Sequence, residues 1–173
     1  MTDRRTRAEL LDEGLDIVTG LWAGQPFNYS GKHYTIRETA FMPPAPPVQQ
    51  PRIPIWVVGA WLREKSMRRA LRYDGLLPNV IGEDGAARTP TVEEIAAMRD
   101  YAIAKRTEAG PFAIIMEGET PGADAVVAAA IVRPWSEAGA TWWLESRWQL
   151  PREPESLPAV RERIAQGPPH IKE

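Results

Sequence analysis

Apolar residues recur along this chain with two different periods. Between Arg7 and Trp22, the residues Leu11, Leu15, Val18 and Trp22 follow i, i+4, i+7, i+11. They share one face and predict an amphipathic helix, which Gly24 ends. From Phe27 to Ile36 the pattern changes to aromatic and β-branched residues on either side of Ser30-Gly31-Lys32, which predicts a short hairpin. Prolines then crowd residues 42–54, a stretch that suits neither regular helix nor a central strand. The run Ile55-Trp56-Val57-Val58-Gly59-Ala60 is apolar on both faces, as a buried parallel strand should be.

From there strands and helices alternate. A helix is expected over about Arg63–Tyr73, with Met67, Ala70 and Leu71 turned inward. Asp74-Gly75 leads into a strand at 76–80, and 81–90 reads as a loop. Thr91 with Glu94 forms a capping box for a helix reaching about Glu108, which Gly110-Pro111 breaks. Phe112–Glu117 reads as a strand. Ala123–Ala138 reads as a helix that Pro134 splits or kinks and Gly139 ends. Thr141–Glu145 reads as a strand, and a last helix runs from about Leu157 to Gln166, stopped by Gly167-Pro168-Pro169.

After the opening helix and hairpin the order is therefore βαβαβαβα. Each connection is long enough for a right-handed crossover, which favours an α/β fold with a parallel sheet. Four such units are half of a (β/α)8 barrel, which typically takes ~250 residues, against 173 in this chain. One domain is expected over 1–173: a helix at 1–24, a hairpin and proline-rich insertion at 25–53, and four βα units at 54–169.

Composition narrows the chemistry. The 21 basic and 23 acidic residues leave a net charge of −2, with no footprint for nucleic acid or an anionic membrane. No cysteine is present, so disulfides, thiolate metal sites and a cysteine nucleophile are excluded. No apolar run approaches the ~18 residues of a membrane span, and Met1–Arg7 has no apolar core of a signal peptide. A soluble, cytoplasmic protein is expected. The two histidines, His33 and His170, stand too far apart in sequence to suggest a metal site or a triad. There is no P-loop and no glycine-rich dinucleotide fingerprint.

Five segments in order carry a more specific signal. They are Leu11-Asp12-Glu13-Gly14-Leu15-Asp16-Ile17 leading to Gly20-Leu21-Trp22; Phe27 to Tyr34, ending Gly31-Lys32-His33-Tyr34; Pro54-Ile55-Trp56-Val57-Val58-Gly59; Arg68-Arg69-Ala70-Leu71-Arg72-Tyr73-Asp74-Gly75; and Ala138-Gly139-Ala140-Thr141-Trp142-Trp143-Leu144-Glu145. Together they resemble the bacterial luciferase-like family of flavin- and deazaflavin-dependent oxidoreductases, over roughly residues 7–169. The resemblance implies the C-terminal half of a TIM barrel, with 55–60, 76–80, 112–117 and 141–145 as strands five to eight. It implies FMN or coenzyme F420 as cofactor and an oxidoreductase or monooxygenase acting on paired donors. It also implies that the phosphate-binding loops of the early strands lie outside this chain.

A barrel's active site lies at the C-terminal ends of its strands. By resemblance, Gly59, Ala60 and Trp61 would meet the cofactor, the small pair letting a flat ring approach and Trp61 stacking on it. Asn79, Glu117, Glu119 and Glu145 are the substrate-pocket candidates, and no catalytic residue is assigned. The plainer alternatives are that small residues merely end a strand, that Trp61 packs on the surface, and that 118–122 only starts a helix. Trp142 and Trp143 face opposite ways, and core packing is expected for both. A half-barrel would leave strands five and eight as free edges and uncover Ile55, Val57, Leu77, Ile114, Met116 and one of the two tryptophans. A homodimer through those edges is expected; a chain supplying the N-terminal half, or the hairpin and first helix folding over, are the other solutions. The alternative to an oxidoreductase is a non-catalytic half-barrel that binds no flavin.

Overall fold

The computed structural model describes residues 3–40, 48–50, 52–151 and 153–171. The expectation for the proline-rich stretch falls partly outside them, at 41–47 and 51. The chain forms two compact units, Met1–Pro54 and Ile55–Glu173.

In the first unit, α1 spans Arg4–Ala23. It starts a turn earlier than the apolar pattern implied, because Asp3 caps it by accepting from the N–H groups of Arg5 and Thr6. Strands β1 (Phe27–Ser30) and β2 (Thr35–Thr39) pair antiparallel, with Ser30 opposite Thr35. The hairpin turn is built around a carboxylate. Glu13 of α1 accepts from the backbone N–H of Lys32, His33 and Tyr34 at 2.8–3.1 Å. Gly31 is required there because a Cβ would occupy the place of the Glu13 carboxylate. One turn earlier, Glu9 holds Arg5, the Lys32 ammonium and the His33 ring. These three hydrogen bonds, the one from Lys32 strongest, pull the Glu9 carboxyl down to about 2. The apolar face of α1 is not buried: Leu11, Val18 and Trp22 each remain about two-fifths exposed.

The second unit is a parallel sheet of β3 (Trp56–Ala60), β4 (Gly75–Ile81), β6 (Ala113–Gly118) and β7 (Trp142–Glu145), side by side in that order. Helices α2 (Glu64–Leu71), α3 (Val92–Lys105) and α4 (Ala125–Ala138) make the crossovers, and α5 (Leu157–Ala165) follows β7. A two-residue strand, β5 (Ala87–Arg88), folds back antiparallel onto the end of β4. This α/β order is consistent with a TIM-barrel fragment. Pro134 does not split α4, which runs on as one helix to Ala138. Pro134 and Ala130, whose carbonyl loses its helical donor, both lie on the exposed side, where water can serve instead.

Register sorts the side chains into two faces. Val57, Leu76 and Ile114 stand abreast, and Met116 stands beside Trp143. Val57, Leu76, Ile114 and Met116 are buried, and α2 lies over this face: a Cβ on Gly59 would strike Leu76, crowd Met67 and touch Ala70. Val57, Ile114 and Met116 therefore turn to the helices, against the expectation that they would lose cover. The opposite face carries Trp56, Val58, Leu77, Ile115 and Trp142; Ile115 is buried, while Val58 and Trp142 are more than half exposed. Core packing thus fails for Trp142.

That open face is concave. Trp56 begins β3 and Trp142 begins β7, three strand spacings apart, roughly 14 Å in a flat sheet at ~4.8 Å per step. Their rings lean toward one another and bridge that span, with centroids 5.1 Å apart. Trp56 stands beside Gly75, where a side chain would strike its ring, and Trp142 stands beside Ile115. The pair closes the N-terminal end of the concavity and leaves the C-terminal end open.

Candidate functional site

The open end is a mouth of about 380 Å³ lined by Val58, Leu77, Asn79, Arg88, Thr89 and Glu117, among others. Apolar residues from β3, β4 and β6 make its floor. Its outer wall is a small flap. After Ile81 the chain turns through Gly82–Ala86, closed by the Gly82 N–H donating to the Ala86 carbonyl and by Asp84 accepting from the Ala86 N–H. Gly85 takes φ +79° in that turn, a conformation glycine adopts without strain. β5 then places Arg88 opposite Val80.

The flap is fixed by one carboxylate with two duties. Glu94 grips Arg88 with both oxygens, at 2.7 and 2.8 Å. It also accepts from the Thr91 N–H and so completes the capping box of α3. The Arg88 guanidinium holds the Glu94 carboxyl below its ordinary range. Arg88 is consequently paired at the mouth and offers no unmatched charge for a phosphate.

Of the residues predicted from sequence, Asn79 and Glu117 line this mouth together. Ala60 stands beside Asn79 in the sheet, and its N–H donates to Ser66 Oγ. Gly59 lies on the other face, where its missing side chain makes room for α2 packing. The Trp61 ring meets Tyr101 of α3 edge-on, with centroids 5.8 Å apart, and the Trp61 backbone N–H donates to the Asn79 carbonyl. Glu119 is half-exposed, 3.9 Å from Arg147.

Glu145 is placed differently. Its carboxylate accepts from the Thr120 N–H (2.6 Å), the Thr120 hydroxyl (2.7 Å), Arg163 (2.9 Å) and the Trp143 indole (3.3 Å). Burial pushes its carboxyl up, but these hydrogen bonds outweigh burial and leave it below the ordinary value. Arg163 also donates to the carbonyls of Thr120 and Gly167 and to Thr120 Oγ1. This network clamps α5 and the loop after β6 onto the end of β7. Two glycines permit it: a Cβ on Gly118 would strike the Trp143 ring, and one on Gly122 would strike Gln166.

Sequence reasoning missed Thr120 and Arg163, the buried polar residues here. Arg163 sits in a short polar helix and reads as solvent-facing, so nothing in the pattern marks it. Also missed was a groove of about 1100 Å³ along the outer side of β7, lined by Trp143, Trp148, Leu150, Leu157, Val160 and Ile164, among others.

Chemically, the mouth offers an apolar floor, one carboxamide and one carboxylate. Glu117 is exposed and accepts from the Trp148 indole at 3.3 Å. Among the described residues no group of histidines and carboxylates could hold a metal, and no helix is long and apolar enough to cross a membrane. The family model for luciferase-like monooxygenases matches residues 2–153. No curated protein is similar enough to carry an argument by relatedness.

Proposed function

Since the chain belongs to the luciferase-like monooxygenase family, we propose that it is the scaffold of a flavin- or deazaflavin-dependent oxidoreductase whose cofactor ring lies in the mouth at the C-terminal ends of β3, β4 and β6. In this reading the four parallel strands are strands five to eight of an eight-stranded barrel. The observation that carries it is the coincidence of the family match with an open, apolar concavity at the strand ends where barrel active sites lie.

The residues fit the ring end of such a cofactor. Val58 and Leu77 give a flat apolar floor, Ala60 adds little bulk beside it, and the Asn79 carboxamide can address a polar ring edge. A mouth of about 380 Å³ lies within the ~300–1,000 Å³ usual for ligand pockets. The phosphate end finds no partner at this mouth, where Arg88 is paired with Glu94 and Glu117 carries like charge. Bound FMN or F420 would supply the redox chemistry. This chain's residues would hold the ring, keep water from its buried face and, through Glu117, take or give a proton at the carboxylate. A homodimer through the sheet edges, or a chain supplying the rest of the barrel, belongs to the same reading.

The unmatched phosphate end favours a second reading, a non-catalytic scaffold that binds no flavin. Titration with FMN and with F420, followed by quenching of cofactor and tryptophan fluorescence, separates the two. Saturable binding of one cofactor supports the oxidoreductase. No binding of either at about 1 mM, the weak end of the usual affinity scale, supports the scaffold.

A further inference from the structure

The charges around the mouth do not balance. Arg88 and Glu94 cancel each other through two short hydrogen bonds. Beyond the strand end, Glu119 faces Arg147 at 3.9 Å. Glu117 is left over. Among the described residues no cation comes within ion-pair distance of it, and the hydrogen bond its carboxylate accepts comes from the neutral Trp148 indole. Glu117 stands abreast of Leu144 and two residues beyond Ile115, so it belongs to the concave face. At the C-terminal strand ends a complete barrel turns that face to its ligand too. The indole N–H lies in the plane of its ring, so its bond to Glu117 Oε2 uses the ring edge. It leaves Oε1 and the π faces of Trp148, a residue 69% exposed, for another group.

We infer that Glu117 and Trp148 are the recognition site for an organic cation, a substrate whose ammonium group meets the carboxylate and the indole face while its apolar part lies on the floor of the mouth. Two features select a cation. The first is the unmatched carboxylate. A neutral apolar ligand that covered Glu117 would strip water from a charge and return nothing, and an anion would add repulsion. An ammonium group replaces the lost water with a charge-assisted hydrogen bond. The second is the aromatic face beside that carboxylate, which attracts a cation and not an anion. Arg88, the cation lining the mouth that could have served an acid, already has both of its hydrogen-bonding partners in Glu94. Val58 and Leu77 supply the apolar surface for the rest of the substrate.

Glu117 lines both the mouth and the groove beside β7, so a substrate anchored there reaches the mouth from the β7 side, next to the place given above to the cofactor ring. The inference deepens the reading above by naming a substrate class, and it rests on the mouth being the site. The two can still fail separately. A chain that binds the cation but neither FMN nor F420 keeps the cation site and loses the flavin reading. A chain that binds a cofactor without preferring a cation does the reverse.

The test uses benzylammonium, benzyl alcohol and benzoate, which are similar in size and differ in charge. Each is titrated into the full chain at neutral pH and followed by amide and indole chemical shifts. Benzylammonium should bind roughly 10-fold more tightly than benzyl alcohol, the joint effect of an exposed ion pair and a cation–π contact. Benzoate should bind more weakly than either, and the Trp148 indole resonance should move as benzylammonium saturates. Glu117→Gln should erase the preference for benzylammonium and leave benzyl alcohol unchanged, while Trp148→Leu should reduce that preference about 3-fold. Both side chains are exposed, so neither variant disturbs the core. Glu83→Gln, which removes the same charge from the flap turn, should keep the ranking of the three probes. Benzyl alcohol or benzoate binding as tightly as benzylammonium, or a ranking unchanged in Glu117→Gln, would overturn the proposal. So would the absence of saturation by benzylammonium at about 20 mM, beyond the weak end of the usual affinity scale.

Discussion

Arg163 is the residue whose loss the structure prices most clearly. It donates four hydrogen bonds at 2.6–3.2 Å, to the Thr120 carbonyl and hydroxyl, the Gly167 carbonyl and the Glu145 carboxylate. Its side chain is about one-tenth exposed, and that of Glu145 about one-fifth. Removing one partner of a fully buried pair costs ~3–5 kcal/mol because the other charge is orphaned. Here the penalty is smaller, since Glu145 keeps two donors from Thr120 and one from Trp143. Part of the solvent also screens the pair. Arg163→Leu should therefore destabilise by about 2 kcal/mol. At ~2–4 °C per kcal/mol for a chain of this size, Tm should fall by roughly 4–8 °C.

The pH dependence gives a second handle on the same contact. The Glu145 carboxyl is depressed in the folded state. Its stabilisation is therefore present above the unfolded value and is lost as pH falls through the folded one. The Tm gap between wild type and Arg163→Leu should shrink as pH drops below about 4.5, the ordinary value. Thermal unfolding of wild type, Arg163→Leu, Glu145→Gln and the double variant, followed at neutral pH and in acid, measures both effects. A loss under about 1 kcal/mol, or a gap constant across pH, would show that the clamp does not hold α5.

Other consequences are equally direct. Gly31→Ala should cost about 1–3 kcal/mol, the usual penalty of forcing bulk into a filled space, and should speed hydrogen exchange at the Lys32, His33 and Tyr34 amides, which lose Glu13. Because Glu9 sits at about 2 and Glu13 is also lowered, the union of α1 with the hairpin turn is stable above about 4.5 and weakens as pH falls toward 2. Amide chemical shifts of 31–34 should report that opening, and Glu9→Gln should move it. Trp56→Ala should abolish the exciton couplet of the Trp56–Trp142 pair in far-UV circular dichroism and cost ~0.5–1.5 kcal/mol beyond the lost burial.

The alternation of strands and helices was legible because each period persists long enough to be distinguished. The Thr91–Glu94 capping box was legible for the same kind of reason, being a local device with a fixed spacing. The faces were not. A parallel strand such as 56–60 is apolar on both sides, so sequence could not tell that Val57 meets α2 while Val58 stays open; only register decides that. β5 escaped notice because two residues, Ala87 and Arg88, are too few to show a period. Of the candidate residues, Asn79 and Glu117, which line the mouth, could be found by looking to the C-terminal ends of the expected strands. Glu145 obeys the same rule, yet its parity turns it to Thr120 and Arg163.

The central claim, that the mouth holds a cofactor ring, is tested most directly by amide chemical-shift mapping of the chain titrated with FMN and with F420. The account predicts shifts concentrated at 58–60, 77–80 and 115–117, suppressed in Val58→Trp, which fills the floor. Shifts confined to surfaces away from these strand ends, or binding undiminished in Val58→Trp, would contradict it.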